Sequence, residues 1–318
     1  MKDIDEYLIA YSNLKNGLFK FQKDFLENNQ LLNFYKYKFY GVPICLPVGL
    51  KYFDYSKSKI FKINKRSFAK HIFNTNNLDY VGVKKYFRFG DIFASNAEIK
   101  QKYKFKLNKY HKNIVNLKKQ INKLKAKGLK VCAMQIRNVP HFGHEAIFKH
   151  ITDNYDCLVI NPIFGIKKPN DFSDFVISET LKFYSKSSSK IKFKPIYSNF
   201  HYAGPREALH HMSMRENLGF DFFYVGRDHA GAENLYGKLD SINYVKKFRK
   251  YFSIQPFFSN GGVYCSVCKD YIIENSCSHK KLKNISGTEF RSYLNNELYY
   301  PHANTHVQKI YFDNIVKK

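Results

Sequence analysis

Three clusters in the 318-residue sequence bring together side chains able to do chemistry. The first is Gln135-Ile136-Arg137-Asn138-Val139-Pro140-His141-Phe142-Gly143-His144, in which two amides, a guanidinium and two imidazoles gather with no carboxylate among them. His141 and His144, three residues apart, share one helical face. Two histidines are too few ligands for a metal, whereas this donor set suits phosphoryl oxygens, whose charge it binds and stabilises. Either histidine alone would also fit a buried structural role; the whole set fits an anion site. The second cluster, Val225-Gly226-Arg227-Asp228-His229-Ala230-Gly231, sets charged and imidazole groups between glycines. The third is Cys265-x₂-Cys268-x₈-Cys277-x-His279. Paired thiolates on a knuckle followed by Cys and His are typical of a closed structural zinc site. One residue between Cys277 and His279 leaves the fourth ligand open, and three ordinary reduced thiols are the alternative.

These clusters need strands and helices to hold them. Residues 131–134 read as a short buried strand and residues from about 141 to 152 as a helix. The first cluster therefore lies where a strand hands over to a helix start, whose free N–H groups and dipole suit a phosphate. A second apolar strand is expected at 156–161, a helix at 172–185 and a strand-like run at 192–198. The next helix opens at Pro205, with Glu207 behind it, and stops at Gly219. A strand at 222–225 leads into the second cluster. Strands alternating with helices predict an α/β, doubly wound parallel sheet with ligands at the carboxyl ends of its strands. Ahead of it, residues 97–127 are lysine-rich, with Ile114, Leu117, Ile121 and Leu124 at helical steps and Gly128 as a stop. Residues 1–95 carry aromatic and β-branched runs, such as 40–48 and 80–89, broken by Gly and Pro, which predict a mostly β module. The expected division is 1–127, 128–284 with the Cys-rich knuckle at 265–279, and a short subdomain at 285–318.

Composition bounds the rest. With 44% hydrophobic and 17% aromatic residues, wholesale disorder is excluded. The balance of 53 Lys+Arg against 26 Asp+Glu, a net +27, favours anionic partners. That excess is mostly lysine spread along the chain, the pattern of a solvated surface rather than of a nucleic-acid arm. No run of about 18 apolar residues is present and the first residues are acidic, so a soluble cytoplasmic protein with no membrane partner is expected. Cys45, Cys132 and Cys157 are scattered and the other three crowd between 265 and 277, unlike a secreted disulfide framework.

Gln-x-Arg-Asn-x-x-His-x-x-His-Glu resembles the active-site signature of the ATP sulfurylase (sulfate adenylyltransferase) family, and the resemblance continues in order. Asn161-Pro162-Ile163-Phe164-Gly165, Tyr202-Ala203-Gly204-Pro205-Arg206-Glu207-Ala208, the Gly226 to Gly231 loop and Ile285-Ser286-Gly287-Thr288 with Arg291 are similar to its later motifs. Asn16-Gly17-Leu18-Phe19 and Val42-Pro43-Ile44 faintly resemble its N-terminal domain. The resemblance implies a Rossmann-like nucleotidyltransferase domain behind a β-rich, PUA-like N-terminal domain. It implies attack of a sulfate oxygen on the α-phosphorus of ATP, giving adenosine 5′-phosphosulfate and pyrophosphate without a covalent enzyme intermediate. By similarity Arg137 and Gln135 would hold sulfate, Asn138 would contact phosphate, and His141 and His144 would stabilise the triphosphate. Gly226, Arg227, Asp228, His229, Ala230 and Gly231 would position nucleotide and sulfate, and Mg²⁺ would arrive with ATP. Some bacterial members have a similar Cys-Cys-Cys-His zinc site, with histidine where Lys281 stands here. Zinc held by Cys265, Cys268, Cys277 and His279 is expected to be structural and, by its distance in sequence, away from the phosphate site. The P-loop of a fused kinase is missing, and a homo-oligomer is compatible with this reading.

Two positions depart from the family pattern, Ile136 for its Thr and Phe142 for its Arg, so a hydroxyl and a cation are expected to be missing beside the reaction centre. His-x-Gly-His also fits nucleotidyltransferases at large. A related enzyme with another anionic acceptor and a basic nucleic-acid-binding protein therefore stand as alternatives. Arg206 and Glu207 are expected to pair near a helix start, and Ser286 and Thr288 to cap the helix that bears Arg291.

Overall fold

Aromatic runs in the amino-terminal third bury themselves through helices as well as strands. In the computed structural model, which describes residues 2–168, 171–227, 229–274 and 276–315, this part contains α1 (Lys2–Lys15), α2 (Asn28–Lys36), β1 (Leu46–Pro47), β2 (Phe53–Asp54), β3 (Lys59–Lys62), α3 (Lys65–Phe68), α4 (Val81–Tyr86), β4 (Ile92–Ser95) and β5 (Glu98–Ile99). The strands make a small antiparallel sheet, β1-β4-β3, and a separate β2-β5 pair. The expectation of a mostly β module is therefore corrected to a mixed one. The run at 80–89 shows why: Tyr80, Val83 and Phe87 are buried at helical spacing, and that burial overrides their strand propensity.

α5 (Asn108–Lys125) buries Tyr110, Ile114, Leu117 and Ile121 on one stripe, with its lysines outward, and the chain turns at Gly128 with φ 78°. Then come β6 (Val131–Met134), α6 (Phe142–Asn154), β7 (Cys157–Ile160), β8 (Ile163–Phe164), α7 (Asp174–Ser187), β9 (Ile191–Phe193), β10 (Ile196–Tyr197), α8 (Pro205–Leu218), β11 (Phe222–Gly226), α9 (Asp240–Phe248) and β12 (Gln255–Ser259). Five of these strands form one all-parallel sheet in the order β12-β11-β6-β7-β9. Alternate residues serve two cores. Val131, Ala133, Val159, Phe223 and Val225 pack with α5, α8 and α9, while Cys132, Met134, Leu158, Ile160 and Tyr224 pack with α6 and α7. Both faces are covered, as an all-parallel sheet requires. From β6 the chain winds one way to β7 and β9, then the other way to β11 and β12. The carboxyl ends of β6 and β11 thus flank the switch point, where such sheets open a crevice.

Two further pieces close on this crevice. β13 (Gly262–Cys265), β14 (Asp270–Ile273) and β15 (Leu282–Asn284) form an antiparallel sheet in the order β14-β13-β15, followed by α10 (Gly287–Asn295) and α11 (Thr305–Ile315). A Cβ on Gly262 would collide with the Gly143 carbonyl, so β13 lies directly on the first turn of α6. On the other side, Arg206 of α8 donates to the carbonyls of Gly41 (2.8 Å), His71 (3.1 Å) and Phe34 (2.7 Å) and so ties down the amino-terminal third. Glu207 instead accepts the amides of His201 and Ala203, each at 2.9 Å. Arg206 and Glu207 do not pair, because neighbouring residues on a helix point in different directions. Among the described residues no helix is long and apolar enough to cross a membrane.

Candidate active site

A cleft of about 500 Å³ opens at the switch point. Gln135, Ile136, Arg137 and Asn138, leaving β6, line one side together with His141 and His144 on the first turn of α6. Gly226, Arg227, His229 and Ala230, leaving β11, line the other, and Ser286, Gly287 and Thr288 at the start of α10 complete it. Two helix starts thus face the same space, an arrangement that favours anions. Ser286 also caps α10, its Oγ accepting the Glu289 amide at 3.3 Å.

Hydrogen bonds fix some of these groups and leave others free. One arm of Arg137 donates to the Gly231 carbonyl at 2.9 Å, while its other terminal nitrogen is buried without a partner. Gln135 Oε1, Asn138 Oδ1 and His141 Nδ1 are likewise buried and unpartnered. Each such group costs about 1–3 kcal/mol if left unmet. Their convergence in one cleft makes it a candidate seat for a polar ligand. The His141 amide donates to His144 Nδ1 at 3.3 Å, which leaves the proton of a neutral His144 on Nε2. Burial pushes His144 down to about 4. His141 lies well below its ordinary value through burial, then through His144 and Arg227. Both rings are therefore neutral at pH 7 and act on a ligand as hydrogen-bond groups rather than as charges.

The loops are held by strained backbone. Tyr202 (φ 59°) and Ala230 (φ 58°) both adopt the left-handed region, and the Gly204 amide donates to the Ala230 carbonyl at 3.2 Å, stitching the two motif loops together. Arg291 reaches Asp171 at 3.5 Å, and burial lowers its pKa. Asp228 lies outside the described residues. Ile136 lines the cleft as expected, but Phe142 does not. Its ring packs on Tyr271 of β14, centroids 4.7 Å apart, because the first helical position of α6 points toward the small sheet. Ile136 thus presents an apolar side chain to the cleft, and Phe142 presents its ring to the small sheet.

Cys265, Cys268, Cys277 and His279 come together with all their ligand atoms within 4.8 Å of one another. The Cys277 and Cys265 sulfurs are 3.8 Å apart, and His279 Nδ1 lies 3.3 Å from Cys268 Sγ. Thiolates each about 2.3 Å from a tetrahedral zinc would be separated by about 3.8 Å. The Cys268 amide points at Cys265 Sγ (3.4 Å) and, with neighbouring donors, holds that thiol down at about 6. The four residues can hold a metal such as zinc, with His279 in the fourth place.

Sequence reasoning missed several residues of the cleft wall. Tyr224, Tyr236, Lys238, Gly261 and Asn284 also line it. Tyr236 and Lys238 follow closely on the Gly226 to Gly231 loop and were within reach of a longer motif. Asn284 had no signal, since only the folding of the Cys-rich sheet brings it beside Arg227.

The sequence profile described as ATP-sulfurylase matches residues 108–308. The chain belongs to the ATP-sulfurylase family. It is similar to proteins named sulfate adenylyltransferase from Ignicoccus hospitalis (33% identity, 86% of this chain and 69% of that protein) and Pyrococcus abyssi (34%, 74% and 63%). A third, from Hyperthermus butylicus, is 40% identical over 54% of this chain and 45% of its own length. The chain thus spans between 45% and 69% of the length of these three relatives. In three dimensions it resembles the hexameric APS kinase from Thiobacillus denitrificans with TM-score 0.51 and 15% identity, over 70% of this chain and 44% of that one, a likeness of fold.

Proposed function

We propose that this member of the ATP-sulfurylase family is a sulfate adenylyltransferase and that its reaction takes place in this cleft. The observation that carries the reading is the buried, unpartnered nitrogen of Arg137, gathered between two helix starts with Gln135 and Asn138, whose side-chain NH2 groups can donate to an anion. A sulfate oxygen attacks the α-phosphorus of ATP. The new O–P bond forms as the bond to the β-phosphate oxygen breaks, and pyrophosphate leaves. Sulfate is a poor nucleophile, so the rate must come from alignment and from stabilising charge as it moves onto the leaving group. Gln135 and the free arm of Arg137 hold the attacking anion, while Asn138 contacts the α-phosphate. His141 and His144 support the triphosphate, and Arg227 with the Gly226 to Gly231 loop seats the nucleotide.

Magnesium enters as part of the substrate, bound to phosphate oxygens and water. Among the described lining residues Glu207 is the one carboxylate, and two backbone amides donate to it, which supports a metal carried in by ATP. Zinc is the proposed occupant of the Cys265, Cys268, Cys277 and His279 cluster, which goes with a reducing, cytoplasmic compartment. About one zinc per chain is expected for one closed four-ligand site. Metal analysis of untagged protein checks this, and a metal-free chain purified under reducing, chelator-free conditions would sink it.

The deciding experiment is ATP–pyrophosphate exchange across sulfate, selenate, molybdate and phosphorylated acceptors. Sulfate-dependent exchange is the expected result. Ile136 favours a second reading, since an apolar side chain stands where the family signature has a hydroxyl. Exchange driven by another acceptor and not by sulfate would establish it.

A further inference from the structure

We infer that the Cys-rich sheet β14-β13-β15 positions the substrate-facing groups of the cleft, so that metal loading of its four ligands sets nucleotide affinity. This inference rests on the reading of the cleft as an ATP site. The sheet touches that site at two points. At one, the backbone of Gly262 lies against Gly143, between His141 and His144, where any Cβ would force the strand away from the helix. Phe142 reinforces the seam, its ring on Tyr271 and its amide donating to the His302 carbonyl at 2.9 Å, while Tyr271 Oη and His302 Nδ1 are 2.8 Å apart.

At the other point, Arg227 donates to Asn284 Oδ1 at 3.1 Å and faces Glu274 at 3.8 Å. A Cβ on Gly261 would come within 3.3 Å of its Nε, so the guanidinium rests on bare backbone. Both points lie on strands that the metal ligands close. Cys265 ends β13 three residues from Gly262, and in the ladder it stands opposite Asp270 and Leu282 while Val263 stands opposite Asn284. The three strands have four, four and three residues, and β14 and β15 contribute no buried side chain. So small and open a sheet is marginal by itself, and a closed thiolate site supplies the missing folding energy. Loosening the ligands releases Asn284 and Gly262, and through them Arg227 and the first turn of α6. By linkage, bound nucleotide must tighten the metal by the same factor that the metal tightens nucleotide.

The test uses the full chain, untagged, with metal content measured throughout. Hydrogen exchange without nucleotide is compared before and after chelation in peptides covering 141–148 and 222–227, and ATP affinity is measured by calorimetry. Stripping should deprotect both peptides while far-UV circular dichroism changes little, and should raise the Kd for ATP about tenfold, the worth of one charge-assisted hydrogen bond. Asn284→Ala, which keeps its metal, should weaken ATP to a similar degree and remove most of the further effect of stripping. Gly262→Ala should deprotect 141–148 with the metal still bound. Deprotection confined to 262–284, an unchanged Kd, or independent and additive losses from Asn284→Ala and stripping would each overturn the inference. A loaded parent that binds no ATP would overturn the nucleotide reading and its affinity claim, while the exchange data would still report whether sheet and cleft are mechanically linked.

Discussion

Arg137 divides its guanidinium between two tasks, one arm tethered to the Gly231 carbonyl and the other free in the cleft. The planar fork makes this division possible, and a lysine has no equivalent. Arg137→Ala should lower the turnover of exchange by about 10²–10³-fold, the usual loss for one transition-state donor. Arg137→Lys should recover little of it. A loss confined to KM would make Arg137 a ground-state contact. The paired histidines answer to the ligand in another way. Burial keeps both neutral in the free chain, and a triphosphate beside them favours the protonated form. Their pKa values should therefore rise when a non-hydrolysable ATP analogue binds. Imidazole NMR titration with and without the analogue reads this, and unmoved values would place the phosphates elsewhere.

At the scale of elements, α6 presents two faces with different work. One turns His141 and His144 to the cleft; the other turns Phe142 to Tyr271 of β14. The two departures from the family signature should consequently behave differently when reversed. Ile136→Thr puts a hydroxyl into the cleft and should strengthen sulfate in the exchange assay by roughly tenfold if that hydroxyl meets the anion. Phe142→Arg should give no such gain. It trades an aromatic contact for a charge at the seam, and should lower the thermal midpoint by about 1–2 °C, as the loss of about 1 kcal/mol does in a chain of this size. Sulfate affinity that improves with Phe142→Arg alone would show that the first turn of α6 rotates in the working enzyme.

Across the whole molecule, among the described residues, burial holds seven histidines below their ordinary pKa: His302 on the small sheet's flank and, more deeply placed, His141, His144, His201, His210, His211 and His229. The last four crowd around α8, where Glu207 Oε1 lies 3.2 Å from His211 Nε2 and His211 Nδ1 lies 3.1 Å from His229 Nε2. Folded values below the unfolded value of about 6.5 fix the sign. Above that pH the rings are neutral in both states and cost nothing. Below it the unfolded chain takes up protons that the folded one resists, until the folded pKa is passed, at about 4 for His144. Each such ring removes about 1.4 kcal/mol per pH unit in this window. Stability should therefore fall steeply from pH 6.5 downward, and urea midpoints measured from pH 8 to 5 would show it. His210→Gln, with Phe19 stacked on that position, should flatten the slope by about one proton. A profile flat to pH 5 would mean these rings stay hydrated.

The alternation of apolar runs and turn residues after Gly128 was enough to determine a doubly wound sheet, because parallel strands buried on both faces have few other solutions. The motif residues at strand ends were likewise readable, since the ends of β6 and β11 are where such a sheet leaves polar groups unspent. The Cys-x₂-Cys spacing located the knuckle for the same local reason. Tertiary packing decided the rest. It turned Val81 to Tyr86 into helix by burying one face, sent Arg206 and Glu207 to separate partners, and pointed Phe142 out of the cleft. It also brought a sheet remote in sequence onto α6, where two bare glycines touch, and so placed Asn284 beside Arg227. Spacing along a chain encodes which residues share a face; which other element meets that face depends on contacts between distant segments, and no local pattern records them.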